Sequence, residues 1–530
     1  MKTRYRTRPM KSENPRPLTS DLNGANLRVV WGEILLDFPQ VGLRFACCSS
    51  MTSITPMFPG WHRKLYGRRP VRPGVEMQRK AVDLSSLCLR QAKDLFGDLL
   101  AVGLLQKVPG FRDRSFPLPV VFWTFLCQVL ASGSCRHGVA SVQALLSRNG
   151  KAICSPSTAA YCKARVRIPI RLLIRIHRHL VAAMCPRRGP RTFVIDGTTL
   201  GMPDTSANQA AWPQSRSQKD GCGFPIMRLV GLFDLATGAW IGAATGPFRS
   251  SERNLCRKLW KHIRAGDTIV ADSGFCCWFT LYLFGLKGVN VVMRNNGIRK
   301  PDPRAAKLGT GDRLERWRKP NIRPKWISPQ AYASMPDSIA VRVVTVTIDP
   351  GAGFRTTEIQ IACTMLDPAK MCSANIGALY QKRWKVELFI DDLKTTLGMA
   401  VLTTLSPAMI RRELLAHIIA YNLLRALMNH GRTAEAESAS FKGTIDRLNH
   451  WLPIVLSAPS AKLRKRLVTD LTELIAEDQV PSRPFRREPR AVKRRPKPHQ
   501  LLNVPRHQMV EISHRSRYKK PMDEIIPNDP

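Results

Sequence analysis

The sequence predicts a mixed α/β fold, and three observations carry that expectation. From residue 191 the hydropathy pattern leaves the helical period and takes period two, in β-forming residues. The strands come in the order β-β-β-α-β-α-β, a hairpin-built meander continued by alternating units. Helical periodicity returns near residue 373. A meander continued by alternating units is the order of a ribonuclease-H-like fold. The expected architecture is an α/β, ribonuclease-H-like catalytic core interrupted by a β-rich insertion, with an N-terminal helical DNA-binding domain and a C-terminal helical region. The 530 residues exceed the usual size of one domain, which agrees.

Residues 1–76 mix Arg, Pro and Gly with short apolar scraps and read as disordered or as a mis-called N-terminal extension of the reading frame. Regular patterning starts at Met77, where "MQRKAVDLSSLCLRQAKDLFGDLL" is an amphipathic helix, and 77–185 reads as the helical DNA-binding domain. Inside it, "SPSTAAYCKARVRIP" (155–169) carries a helix-start signature, with Ser155 as N-cap and Pro156 at the first helical position. Lys163, Arg165 and Arg167 follow and suit DNA contact; a solvated basic helix is the alternative. His177 and His179 read as surface residues.

Residues 186–295 hold the first part of the core. "RTFVIDGTTL" is a strand, and "MRLVGLFDLATGAWIGAATG" is a hairpin turning at Thr237-Gly238. "SSERNLCRKLWKHI" is a helix with Ser250 or Ser251 available as cap, and "DTIVADSGF" and "GVNVVMRNN" are buried strands. Residues 296–372 open with a polar, basic, Pro-rich loop and close with two strands; this is the β-rich insertion. The core resumes over 373–430, with one helix near 373–397 and a second at 406–428 that Ser406 caps and Pro407 opens. A helical region spans 431–480, and a basic, Pro-rich tail spans 481–530.

The charge balance narrows the function. Lys and Arg number 83 against 39 Asp and Glu, a net +44. A large chain so basic implies a polyanionic partner, with nucleic acid the first candidate. The 14 Cys include no C-x2-C pair, so zinc frames are not indicated and scattered thiols fit a reducing cytoplasm. No membrane span is expected, because the most apolar stretch, "PVVFWTFLCQVLA" (119–131), is too short.

Three acidic residues stand out by placement. Asp196 ends the apolar run "FVID" and Asp272 ends "TIVAD". A carboxylate at the C-terminal end of a buried strand stands where ligands bind an α/β sheet. Glu387 lies in "YQKRWKVELFIDDLK", where Tyr380, Arg383, Glu387, Asp391 and Lys394 share one helical face. Two strand-end Asp and a helix Glu can hold two Mg²⁺ or Mn²⁺ ions, about 3.5–4 Å apart in phosphodiester-cutting sites. Arg383 and Lys394 would then hold phosphate oxygens, and Tyr380 would hydrogen-bond or stack on a base. Each Asp alone would read as a turn, and Arg383–Glu387 alone as an intrahelical ion pair.

The pattern Y-x2-R-x3-E-x6-K, complete in Tyr380, Arg383, Glu387 and Lys394, resembles the signature of DDE transposases of the insertion-sequence-four family. "DGTTLGMPDTSANQAAWP" and "VADSGF" around the two Asp, and the tail segment "REPRAVKRRPK", extend the resemblance from about Met77 to about 500. It implies Asp196, Asp272 and Glu387 as the catalytic, metal-binding triad. It implies cleavage at the ends of a mobile element and joining of the freed 3′-OH to target DNA. It also implies double-stranded DNA as partner, a homodimer on paired ends, and an insertion aromatic that holds a flipped base. Trp317 is the candidate for that role and Trp326 the rival. The helices at 443–478 are the expected dimer surface, through Leu448, Trp451, Leu452, Leu463 and Leu467. A nuclease without strand transfer and a non-catalytic DNA-binding relic are the competing functions.

Overall fold

The computed structural model describes residues 73–480 apart from 106–110, 112–115, 149–151, 298, 300–301, 349–356 and 431–438, together with Pro505 and Gln508. The expectations for the N-terminal extension and the basic tail fall almost wholly outside the described residues. Residues 72–500 make up one unit, described here by itself.

Helices come first: α1 (Pro73–Phe96), α2 (Leu118–Leu130), α3 (Cys135–Arg148), α4 (Ala159–Val166) and α5 (Ile170–Met184). Helix α2 is apolar on every side and buries all its residues but Cys127. Helix α5 is amphipathic; Leu172, Leu173, Ile176 and Leu180 are buried while Arg171, Arg175 and Arg178 face outward. The expected cap of α4 is displaced. The helix begins at Ala159, and the Ser155 and Ser157 hydroxyls close local turns upstream by accepting from the Ser157 and Ala159 amides. His177 is not a free surface residue: it is half-buried, and its Nε2–H donates to the Trp240 carbonyl at 2.9 Å.

The strands are β1 (Thr192–Gly201), β2 (Ile226–Asp234), β3 (Trp240–Pro247), β4 (Thr268–Ala271), β5 (Asn290–Arg294), β6 (Ala306–Gly309), β7 (Asp312–Arg318), β8 (Ser338–Ile348) and β9 (Thr357–Cys363). They form one mixed sheet in the order β3-β2-β1-β4-β5-β9-β8-β7-β6. Strands β1–β3 are an antiparallel meander, and β1, β4 and β5 run parallel. The rest pair antiparallel, β9 docking on β5. The β2–β3 hairpin turns at Gly238, whose φ of +69° favours glycine; a Cβ there would also meet Phe389 at 3.2 Å.

The opening of the insertion is not a plain loop, since β6 and β7 form a hairpin within it. Strand β7 hides from hydropathy because it buries Asp312 and Glu315. Asp312 takes a two-pronged ion pair from Arg342 of β8, with Nε to Oδ1 at 2.9 Å and Nη2 to Oδ2 at 2.5 Å. Glu315 accepts from Arg313 and from the Trp317 indole.

Short helices connect the strands: α6 (Ser206–Ala211), α7 (Glu252–Arg257), α8 (Trp278–Leu286) and α9 (Pro329–Ala333). After the sheet come α10 (Ser373–Gln381), α11 (Lys385–Asp391), α12 (Pro407–Asn429), α13 (Phe441–Ser457) and α14 (Ala461–Glu477). The sheet separates two cores. Val194, Val270 and Leu229 join the N-terminal helices, α10–α12 and the C-terminal helices on one face. Ile195, Ala271 and Val230 join α7 and α8 on the other. Leu448 is 1% exposed inside the first core, which removes it as a dimer contact; Trp451, Leu452 and Leu467 are partly buried against the same core.

Candidate active site

The parallel register of β1 and β4 builds the site. Ile195 pairs with Ala271, and Ala271 with Met293 of β5. One step further along, Asp196, Asp272 and Arg294 therefore stand side by side across three strands. Neighbouring strands lie about 4.8 Å apart. Because side chains alternate, and Val194, Val270 and Val292 enter the first core, these three residues share that core's face. Asp196 is not at a strand end: β1 runs on to Gly201 because its antiparallel pairing with β2 continues to Ile226. What ends at Ile195 is only the pairing with β4.

The carboxylates are held and crowded. Asp196 Oδ1 accepts from the Gly197 amide at 2.7 Å, and Asp272 Oδ1 from the Gly274 amide at 2.9 Å. Burial pushes the Asp196 carboxyl up to about 6. The Gly197 hydrogen bond and Arg383 oppose the rise, while Asp272 and Glu252 add to it. Glu252 lies across Gly197, where a Cβ would come within 2.5 Å of its Cδ and would have to push that carboxylate aside.

The segment that covers this face is not one uniform helix. A 3₁₀ turn (Lys382–Trp384) joins α10 to α11, and a π turn (Asp392–Thr396) ends it. Val386, Phe389 and Leu393 anchor it in the first core. Its polar stripe meets the sheet. Tyr380 is buried and its hydroxyl's pKa is raised by burial, with Arg383 and Arg294 pulling the other way. Arg383 Nη2 donates to Glu387 Oε1 at 2.7 Å. Burial works against the Arg383 charge, but Glu387, Tyr380 and Asp196 outweigh it and raise its pKa. Lys394 Nζ donates to Thr198 Oγ1 at 3.0 Å, two residues beyond Asp196 on the same strand face. Asp391 leaves the stripe: it is exposed and accepts from Thr395 at 2.6 Å, while Asp392 pairs with Arg425.

Hard oxygen donors standing side by side suit Asp196 and Asp272 to a divalent cation. Glu387 is committed to Arg383, and among the described residues no three His, Cys, Asp or Glu side chains are grouped closely enough to hold one ion. A three-carboxylate donor set would require Glu387 to leave Arg383.

Other expected residues lie elsewhere. Trp317 does not present its ring to a base: it is 3% exposed in the second core, with its indole bound to Glu315. Trp326 is 40% exposed. Arg165 does not face solvent; it is buried over the Phe125 ring at 4.8 Å and bonded to Gln128. Lys163 and Arg167 remain exposed on α4, Arg167 lying over Phe111 at 5.7 Å. Sequence reasoning missed Arg294 and Glu252, which only strand register and a glycine contact bring to the carboxylates.

The family model for the transposase DDE domain matches residues 187–423, which bracket every residue of this site. The transposase InsG of insertion sequence element IS4 from Escherichia coli (strain K12) is 24% identical over 441 residues, covering 79% of this chain and 96% of that protein. A cryo-EM structure of the piggyBac transposase synaptic complex with hairpin DNA aligns with 75% of this chain and 86% of its own, at 13% identity and a TM-score of 0.36, too slight a likeness to establish a shared fold. DDE transposases use divalent metal ions. With its site inside the matched domain and most of its length aligned with the IS4 relative, this chain is an insertion-sequence transposase with a DDE domain, similar to the transposase of IS4, an enzyme that cuts and rejoins DNA phosphodiester bonds.

Proposed function

We propose that the protein moves its element by cut-and-paste, using Asp196, Asp272 and Glu387 on a ribonuclease-H-like core formed by β1–β5. The register that sets Asp196 beside Asp272 beneath the Tyr380–Lys394 stripe carries this reading. The strand order β3-β2-β1-β4-β5, an antiparallel meander followed by parallel strands, supports the core assignment. Asp196 and Asp272, joined by Glu387, would hold Mg²⁺ or Mn²⁺, two ions when complete, which would supply an activated nucleophile and stabilisation of the leaving oxygen. A DNA phosphate competes for Arg383 and frees Glu387 from it. Lys394 and Tyr380 fix the same strand beside the carboxylates.

Alanine at Asp196, Asp272 or Glu387 tests the triad. Each variant is expected to lose cleavage of element ends while keeping gel-shift affinity for them. Wild-type cutting by any one variant removes that residue. The products separate transposition from plain nuclease action, because only the former joins donor to target.

The protein acts as a homodimer on paired element ends, in the cytoplasm on nucleoid DNA. Among the described residues no helix is long and apolar enough to cross a membrane. Mixing a triad variant with an end-binding variant should restore cutting that neither performs alone. No rescue, with both proteins folded, would leave each subunit acting by itself.

A further inference from the structure

We propose that α7 and the loop bearing Trp326 form the surface that receives target DNA, separate from the stripe that holds the element end. The inference rests on the transposase reading above, in which one set of carboxylates must meet two DNA chains at strand transfer. The element-end stripe covers one face of the sheet. Helix α7 lies on the other, burying Leu255 and Cys256 in the second core.

Its first residue is pinned next to the site. The Glu252 carboxylate lies on Gly197, and Arg228 Nη1 donates to Glu252 Oε1 at 2.7 Å. From there Arg253 and Arg257 follow at i and i+4, about 6 Å apart along the helix. Arg253 is exposed. The Arg257 guanidinium lies 3.9 Å from the centre of the Trp326 ring. That ring is backed edge-on by Trp260 and Phe279, with centroids 6.3 and 6.5 Å away. Arg253, Arg257 and a half-exposed indole thus follow one another from the helix end that lies on Gly197.

The charges on this line are uncommitted. Among the described residues neither Arg253 nor Arg257 forms an ion pair with a carboxylate, whereas Arg228, Arg342 and Arg425 each do. An arginine lying over an indole can still offer N–H donors to phosphate oxygens. Consecutive cations at helical spacing suit a phosphate backbone, and an exposed indole suits a base step opened in bent DNA.

The test measures two reactions on the same preparations, cleavage of intact element ends and joining of pre-cut ends to a target duplex. The variants are Arg253→Ala, the Arg253→Ala/Arg257→Ala pair and Trp326→Ala. Cleavage is expected at the wild-type rate and joining is expected to fall. In the double variant the log–log salt slope of target joining should shrink by about two, one per lost phosphate contact. Arg253→Lys should restore joining, since a point charge suffices for phosphate. If Trp326→Ala does not fold, exposed Arg253 still decides. Equal loss of cleavage and joining would assign the surface to the element end, and unchanged joining would remove it; both overturn the proposal. A wild-type protein that neither cuts nor joins would instead overturn the reading beneath it.

Discussion

Asp196 bears the electrostatic cost of the site. Its carboxyl is raised from 3.8 to about 6, chiefly by burial. A folded-state value above the unfolded one means the folded protein holds the proton more tightly. Its contribution therefore favours folding below about pH 4, is lost as pH climbs to about 6, and stays lost at neutral pH. Asp196→Asn should raise the melting temperature at pH 7–8 by the equivalent of roughly 1–3 kcal/mol while abolishing cleavage. Thermal melts across pH decide it: an unchanged or lower neutral-pH melting temperature would mean the carboxylate is not strained. At this scale much of the site was legible. Apolar runs that close on Asp marked both carboxylates, although Asp196 lies within its strand, and helical spacing marked Tyr380, Arg383, Glu387 and Lys394. Trp317 and Arg165 misled because tryptophan and arginine types do not reveal burial; a Glu315 partner and a Phe125 ring, distant in hydropathy terms, decide where they sit.

Among the elements, β7 and β8 are joined by the least expected contact. Arg342 is fully buried, paired to Asp312, and also donates to the carbonyls of Met365 and Met371. Breaking such a pair leaves a buried charge alone, so Arg342→Ala should cost about 3–5 kcal/mol. Asp312→Val added to it should return part of that loss, because the stranded carboxylate goes too. Denaturant titrations of the single and double variants measure the difference; a cost below about 1 kcal/mol would show that water reaches the pair. The same pair explains what the sequence concealed. Strands β1, β2, β4 and β5 were read correctly because one or both of their faces are apolar. Strand β7 was read as loop because its buried positions carry Asp312 and Glu315. The π turn after α11, which carries Lys394, was equally hidden, since no residue type encodes it.

At the scale of the molecule, the +44 charge governs encounter with DNA. A surface making about 6–10 phosphate contacts loses roughly 10³–10⁵ in affinity between about 50 and 200 mM salt. Gel shifts on element ends over that range should follow this slope; a flat response would mean that base contacts, not phosphates, hold the DNA. Self-repulsion at this charge also disfavours subunit pairing until DNA neutralises it, which fits a dimer assembled on paired ends.

The continuity of the sheet has a mechanical consequence. Strand β5 bonds β4 along one edge and β9 along the other, so the insertion is an extension of the same plate rather than a flap on a hinge. A stiff plate does not fold over a duplex. The bending and unstacking that bring a phosphodiester to Asp196 and Asp272 must then be done by the nucleic acid, which makes its own pliancy part of the enzyme's selectivity. Pyrimidine–purine steps, the softest in a duplex, become the natural places for it to yield.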